Sequence, residues 1–357
     1  MIELLEQCVR IPSLSGQERA VAEFLCAAMR ERGFDRAFID EAGNAVGVIG
    51  NGARQMVLLG HMDTVGGEVP VRYENGALYG RGTVDAKGAL CAFVLAAAQV
   101  APLVRQRDWT LIVIGAVEEE TASSKGARFV AAQYQPHYCV IGEPSGVEGI
   151  TLGYKGRLVV HARAEHPMRH TAVPLPNASE QLVALWNHVV ALAQTWNRDK
   201  PKAFEQILPS LRRICSGSDG LREWCEMTFA ARLPLGFGPE ALRGAVEAWC
   251  GAQRDQTSLP VVHVRFEGAE QAWVAPKDSP LARAFVDAIR AEGMRPAFKY
   301  KTGTADFNVV GPVWRCPIVA YGPGDSALDH TPDEHVPIDE FEKAVKVLAR
   351  ALRALLV

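Results

Sequence analysis

At 357 residues the chain is long enough for two hydrophobic cores. Its 48% hydrophobic and 22% charged residues belong to a globular protein and exclude a disordered or fibrous one. A net charge of -3, without a long block of like charge, leaves no electrostatic footprint for nucleic acid or for an anionic membrane surface.

In chain order, MIELLEQC carries acids where the start of a secretory signal would be basic. SGQE (Ser15 to Glu18) has capping-box spacing, with Ser15 expected to accept from a first-turn N–H and Glu18 to reach back. Val21, Phe24, Leu25 and Ala28 then share one helical face, and Gly33 closes the helix. AVGVIG and MVLLG read as strands. AKGALCAFVLAAAQV reads as a buried helix whose apolar run falls short of a membrane span. WTLIVIGAV is a strand, SSKGARFVAAQY a helix and YCVIG a strand. This alternation predicts an α/β domain with a mostly parallel sheet and helices on both faces.

From about Tyr154 the pattern changes. GRLVVHARAEH, SEQLVALWNHVVALAQTW, WCEMTFAARLPLG, PEALRGAVEAWCGAQ and LPVVHVRFEG form a strand–helix–strand–helix–strand block. It predicts a smaller α/β sandwich domain over residues 155–272, inserted into a first domain made of 1–154 and 273–357. PLARAFVDAIRAEG, RCPIVAYGPG and DEFEKAVKVLARALRALL then resume the first style, the last with Asp339 and Glu342 at capping-box spacing. The eight cysteines are scattered without a CxxC pair, so they read as reduced core thiols of a cytoplasmic protein.

Ligands of parallel α/β sheets bind beyond the carboxyl ends of the strands, and polar residues gather there. MVLLG leads into His61 and Asp63, VIGAV into Glu118, Glu119 and Glu120, and YCVIG into Glu143. Asp85 sits in the glycine-rich turn YGRGTVDAKGAL, and His330 in GPGDSALDHTPDEH. Taken singly, each has a plainer explanation, such as a histidine–carboxylate pair, a solvated acidic face or a turn aspartate. Together, so many acids on one rim, without lysines and arginines to match, repel one another unless cations sit among them. A divalent metal pair relieves such a cluster. GRGTVDAKG lacks the Gly-Lys-Ser/Thr of a P-loop, and its aspartate would oppose phosphate.

GHMDTV, GRGTVDAKG, EEETASSKGAR, IGEPS and DHTPDE follow in this order from Gly60 to Glu334. They resemble the motifs of the co-catalytic zinc amidohydrolases and exopeptidases, the family of acetylornithine deacetylase and succinyl-diaminopimelate desuccinylase. GYKGRL, KTGTADFN and YGPGDSALDHTPDE are similar to one branch of it, the acetyl-lysine deacetylases and amino-group-carrier-protein lysine or ornithine hydrolases. The resemblance implies two zinc ions, with cobalt or manganese suited to the same ligands. His61, Asp85 and Glu143 would hold one ion; Asp85, Glu120 and His330 would hold the other, with Asp85 bridging. Asp63 would orient His61, and Glu119 would act as general base, with Glu118 structural. A register shifted by one would move base and ligand to Glu118 and Glu119.

The resemblance also makes the inserted domain a lid through which two chains dimerise. A lid histidine would stabilise the oxyanion: His166, which directly follows the predicted strand, or His170, with Asn177 ending that loop. Arg232 in FAARLP matches a lid arginine that grips a substrate carboxylate. Gly303, Thr304 and Asp306 of KTGTADFN would lie at the mouth of the cleft, where Asp306 either pairs with a substrate amine or caps a turn.

The implied activity is amide hydrolysis releasing lysine or ornithine from an N-acetylated or carrier-protein-linked precursor, within lysine or arginine biosynthesis. The implied protein is a cytoplasmic homodimer whose partner is that substrate, and neither nucleic acid nor membrane. A dipeptidase or aminoacylase with the same metal chemistry is one alternative. A catalytically inactive metal-binding relative is another, against which Glu119 speaks, because a base beside a full ligand set serves no purpose in binding alone. A carrier would need a basic patch, for which NRDKPKAFEQILPSLRR is the candidate unless it is only a solvated loop.

Overall fold

The structure is a computed structural model describing residues 1–254 and 259–356. It divides into two compact units, one of Met1–Gly153, Val274–Tyr300 and Ala305–Val357, the other of Tyr154–Trp273 and Lys301–Thr304. Residues Lys301–Thr304 group with the second unit, whereas the sequence pattern runs the first unit unbroken from 273.

The sheet of the first unit has the strand order Arg36–Ile39, Ala45–Gly50, Trp109–Ala116, Arg54–His61, Tyr138–Gly142, Ile318–Ala320, Gly149–Tyr154, Trp273–Val274, with Ala297–Lys301 paired to Gly149–Tyr154. Its four central strands run parallel. The pairings toward either side, 36–39 with 45–50, 45–50 with 109–116 and 318–320 with 149–154, are antiparallel. The sheet is therefore mixed, and the expected parallel arrangement is confined to its centre. The reason is chemical: MVLLG, WTLIVIGAV and YCVIG are apolar enough to be buried on both faces. By contrast, strands 36–39 and 45–50 are joined by a tight turn, in which Asp40 Oδ1 accepts from the N–H groups of Ala42, Gly43 and Asn44.

Helices cover the sheet. Met56, Leu58, Leu111, Val113 and Val140 share one core with helices Ile2–Val9, Arg19–Glu31, Lys87–Arg105, Pro280–Ala291 and Ile338–Leu355. Val57, Leu59, Ile112 and Ile114 alternate with them along the strands, are equally buried and face the opposite side. Helices Lys125–Gln133 and Asp306–Trp314 pack on each other and on strands 109–116 and 318–320.

Helix Lys87–Arg105 extends beyond its apolar run and, at 19 residues, is long and apolar enough to cross a membrane, which corrects the expectation that it falls short. Its apolarity has a local explanation: Leu90, Phe93, Val94, Ala97 and Val104 are core residues, and the helix packs between the sheet and helix Ile338–Leu355.

Both expected capping boxes of this unit are absent. Helix Arg19–Glu31 starts without a side-chain cap; Ser15 Oγ instead donates to Asp63 Oδ2 at 2.7 Å, and Glu18 Oε1 accepts from the N–H groups of Gly16 and Glu118 at 2.9 and 3.0 Å. Helix Ile338–Leu355 also lacks a side-chain cap, and Asp339 pairs with Lys343 at 2.9 Å. An exposed first turn can bond to water, whereas a buried carboxylate such as Asp63 needs protein donors.

The second unit is a four-stranded antiparallel sheet in the order Leu208–Ser218, Arg222–Leu233, Gly156–Pro167, Val261–Glu270. Helices Ala178–Asn197 and Pro239–Arg254 belong to this unit, and Leu158, Val160, Leu182, Leu185, Phe229, Leu242 and Val246 share its core. Strand Leu208–Ser218 adds to the predicted elements and corrects the reading of NRDKPKAFEQILPSLRR as only a loop. Most of its residues are exposed, so no apolar run marks it. All eight cysteines are free.

One contact links this scaffold to the rim. A Cβ on Gly142 would come within 2.9 Å of Phe93 Cε2 and 3.0 Å of Gly60 Cα, so Phe93 rests on the strand that leads to Glu143. Phe93→Ala should lower the stability of this unit by about 3–5 kcal/mol, measured by urea unfolding. A loss below about 1 kcal/mol would mean that the helix does not depend on this contact.

Candidate active site

The central parallel strands end at His61, Ala116, Gly142 and Ala320. Each is followed by residues of the predicted cluster, as expected for the carboxyl rim of a parallel sheet. His61 Nε2 lies 3.0 Å from Asp85 Oδ1 and 3.8 Å from Glu143 Oε1. His330 Nε2 lies 3.1 Å from Asp85 Oδ2 and 2.9 Å from Glu120 Oε1. The two oxygens of one carboxylate thus face two histidines from distant parts of the chain.

Asp63 is fully buried and organises one side of this arrangement. His61 Nδ1 donates to the Asp63 backbone carbonyl at 3.0 Å and lies 3.5 Å from its Oδ1. The carbonyl can only accept, so Nδ1 carries a proton; in the neutral ring the free lone pair is then on Nε2, which points at Asp85. The Asp63 carboxylate also accepts from the Glu119 N–H at 3.1 Å, the Glu120 N–H at 3.0 Å and Ser15 Oγ. It therefore anchors the glutamate run as well as the imidazole.

Within that run the three glutamates diverge. Glu118 Oε2 accepts from Ser123 Oγ at 2.7 Å, and its Oε1 lies 3.6 Å from Lys125. Glu120 contacts His330, and Glu119 has a carboxylate oxygen within 4.8 Å of ligand atoms of His61 and Glu143. Glu118 and His330 both have positive φ, 57° and 63°. That conformation costs a non-glycine residue about 1–2 kcal/mol, and such strain tends to collect at functional sites.

The electrostatics follow from burial and pairing. Burial disfavours a charged His61, but the hydrogen bonds to Asp63 and Asp85 outweigh it and raise its pKa well above the ordinary value. Hydrogen bonds to Asp85 and Glu120 lift His330 to about 10. Burial would raise Asp85, yet the bonds to His330 and His61 hold it far below the usual carboxylate range. Burial pushes Glu119 well up, with Glu143, Asp306 and Glu120 adding to it against His61, and burial also raises Glu120. Without a cation, the cluster binds protons to relieve its own repulsion.

The same donors fit metal ions. Neighbouring ligand atoms are 2.9–3.8 Å apart. Two ligands on one tetrahedral ion, with bonds of about 2.0–2.2 Å, are separated by about 3.3–3.6 Å. His61, Asp85 and Glu120 form one group with all ligand atoms within 4.8 Å of one another, and His61, Glu119 and Glu143 form another.

The remaining predicted residues lie elsewhere. Asp306 is in the first unit, buried at the start of helix Asp306–Trp314, and its charge acts on Glu119. Arg232, Gly303, Thr304, His166 and His170 belong to the second unit. Thr304 Oγ1 donates to the Lys155 carbonyl at 2.8 Å, and the buried Lys155 ammonium donates to the carbonyls of Ala203 and Gln206. Burial, then the charge of Arg232, lower the Lys155 pKa to about 8. Gly303 has open space around it. His166 Nδ1 donates to the Pro167 carbonyl and its ring contacts Arg169, while His170 Nδ1 accepts from the Ala172 N–H at 3.2 Å. Asn177 caps helix Ala178–Asn197. The supporting roles of Ser15, Glu18, Arg81 and Glu334 were not read from the sequence. Glu334 ends the DHTPDE motif, but nothing in sequence names its partners, which lie some 250 residues away.

A mixed sheet whose rim pairs two imidazoles with carboxylates across one shared aspartate offers the donor set of a divalent-metal site, and the family match makes it that of a metal-dependent hydrolase. Residues 57–354 match peptidase family M20/M25/M40, and the chain belongs to that family. It is 46% identical, over 358 residues, to the LysW-lysine hydrolase of Deinococcus radiodurans, covering 99% of this chain and 96% of that one. Among solved structures it resembles the dipeptidase Dug1p of Saccharomyces cerevisiae, with a TM-score of 0.78, 14% identity and coverage of 99% and 95%. It also resembles the YXEP protein of Bacillus subtilis, described as a dinuclear metal binding peptidase, with a TM-score of 0.70, 13% identity and coverage of 99% and 97%. At these identities the two structures establish the fold alone.

The protonated histidines set a pH dependence. A pKa raised in the folded state stabilises fully below the unfolded value, about 6.5 for histidine, and the gain is lost as pH rises through the folded value. For His330 that upper limit is about 10. In chelator, the thermal stability advantage of the wild type over His330→Ala should therefore shrink between these limits. An advantage that stays constant or grows would contradict the protonated cluster.

Proposed function

We propose that this chain is a two-zinc amide hydrolase that releases lysine, or ornithine, from an amino-group carrier protein to which the amino acid is amide-linked. The observation that carries the chemistry is the Asp85 carboxylate, with one oxygen toward each histidine at 3.0 and 3.1 Å. The substrate reading rests on the similarity to the LysW-lysine hydrolase.

In this reading His61, Asp85 and Glu143 hold one ion, and His330, Asp85 and Glu120 hold the other. The metal pair supplies, when bound, a water that loses its proton near neutral pH and a Lewis acid for the amide carbonyl. Glu119 takes the proton from the attacking water and returns it to the leaving nitrogen. The amide C–N bond breaks, a C–O bond forms, and carboxylate and amine result. Burial suits Glu119 to this work, because it strengthens the side chain's hold on a proton. Asp63 keeps His61 and the Glu119 backbone in register.

Arg232 is assigned to a substrate carboxylate, Asp306 to the amine of the lysyl group, and Gly303 and Thr304 to the substrate's surroundings. His166 is assigned to the oxyanion, with His170 as its alternative. Assembly as a homodimer through the second unit and a cytoplasmic setting complete the reading. Eight free thiols favour that compartment.

The test is product release by zinc-reconstituted protein from carrier-linked lysine, acetyl-lysine and acetyl-ornithine. Carrier-linked lysine should be turned over fastest. Glu119→Gln should lower kcat by about 100- to 10,000-fold with both ions retained. Turnover of acetylated amino acids alone would sink the carrier reading, and no turnover with two ions bound would sink the enzymatic one.

A further inference from the structure

Resting on the two-metal reading, we propose that Arg81 and Glu334 form a brace that sets metal affinity at the His330–Glu120 position by fixing Asp85 and His330 to each other. Glu334 is fully buried. Its Oε1 accepts from three backbone N–H groups, those of Gly82 at 2.9 Å, Val84 at 3.0 Å and Asp85 at 3.1 Å. Its Oε2 accepts from Arg81 Nη1 at 2.6 Å. The same Nη1 donates to the Thr331 carbonyl at 3.2 Å, Arg81 Nε donates to the Gly67 carbonyl, and the Gly80 N–H donates to the Glu334 carbonyl.

The physical need for the brace is specific. Asp85 is delivered by a turn, not by a strand or helix, so no regular ladder serves the N–H groups of that turn. One carboxylate oxygen takes three of them. The turn is also tightly packed: Gly82 has φ +88°, and a Cβ there would lie 2.9 Å from Thr64 Cγ2. The other oxygen, through the Arg81 guanidinium, reaches the residue after His330. Turn 80–85 and segment 330–334 are thereby joined by charge-assisted bonds inside the protein, where such bonds are strong and their loss is expensive. His61 is oriented by Asp63 instead, and Glu143 follows the end of strand Tyr138–Gly142. The two metal positions should thus depend on the brace unequally, with Arg81 and Glu334 acting as positioning residues.

The experiment titrates chelator-stripped full-length protein with Zn2+ against a chromophoric chelator, resolving both affinities in wild type, Glu334→Gln and Arg81→Lys. Gln replaces an acceptor of the Arg81 proton with a donor, and Lys removes the planar fork whose Nη1 serves Glu334 and Thr331 while its Nε serves Gly67. Each folded variant should weaken one affinity about 10- to 100-fold and the other clearly less, because Asp85 serves both positions but His330 only one. In a His330→Ala background the same substitutions should add little, which identifies the affected position. Equal loss at both positions, or no loss, would overturn the proposal. Should Glu334→Gln fail to fold, Arg81→Lys decides alone, since it leaves the Glu334 carboxylate and its three N–H bonds in place. Wild-type protein that binds fewer than two zinc ions would instead overturn the two-metal reading.

Discussion

The rim is arranged around the Asp85 carboxylate, whose two oxygens lie 3.0 and 3.1 Å from imidazoles that are far apart in the chain. Sharing one carboxylate draws the neighbouring acids, Glu120, Glu143 and Glu119, into a space where they repel each other. Burial, with the neighbouring acids adding to it, makes Glu119 and Glu120 hold protons more tightly than usual, while Asp85 is kept ionised by both histidines. A group of this kind is stable only if positive charge, as protons or metal ions, sits within it.

Other carboxylates do quieter work. Asp63 accepts from the Glu119 and Glu120 backbones, Glu18 from Glu118, Glu334 from the Asp85 turn, and Asp40 from a turn between flanking strands. Each replaces the missing backbone ladder of a loop with a side-chain acceptor. The loops that carry the ligands are therefore held from behind by buried acids, and ligand geometry is decided by residues outside the ligand set. The buried members of the site, His61 and Asp63, sit at the end of an apolar strand, where charge interactions are stronger than in water.

The division of labour between the two units follows the same logic. His61, Asp85, Glu119, Glu120, Glu143 and His330 all belong to the first unit, at the rim of its parallel strands. The second unit contains Arg232, Thr304 and the two candidate histidines, residues suited to recognising a substrate.

By itself, the sequence determined the strongly apolar strands and helices of the first unit, such as Arg54–His61, Trp109–Ala116, Lys87–Arg105 and Ile338–Leu355, but not helices Ile2–Val9 and Asp306–Trp314. It also marked the polar residues at the ends of those strands. That His61, Asp85, Glu120, Glu143 and His330 gather on one rim was legible because ordered motifs carry them, His61, Glu120 and Glu143 near strand ends and Asp85 and His330 in glycine-containing turns or loops. Weakly apolar elements were not legible: strand Leu208–Ser218 is mostly exposed, and antiparallel flanks such as Arg36–Ile39 are too short for a period. Nor was the supporting layer. Ser15 and Glu18 have the spacing of a helix cap, yet they bond to Asp63 and to the Glu118 N–H. Glu334 ends the DHTPDE motif, but no local signal names its partners. A local pattern reports what a residue is able to do with its neighbours in sequence. Only the tertiary structure decides which buried group, tens or hundreds of residues away, needs that side chain more than the local turn does.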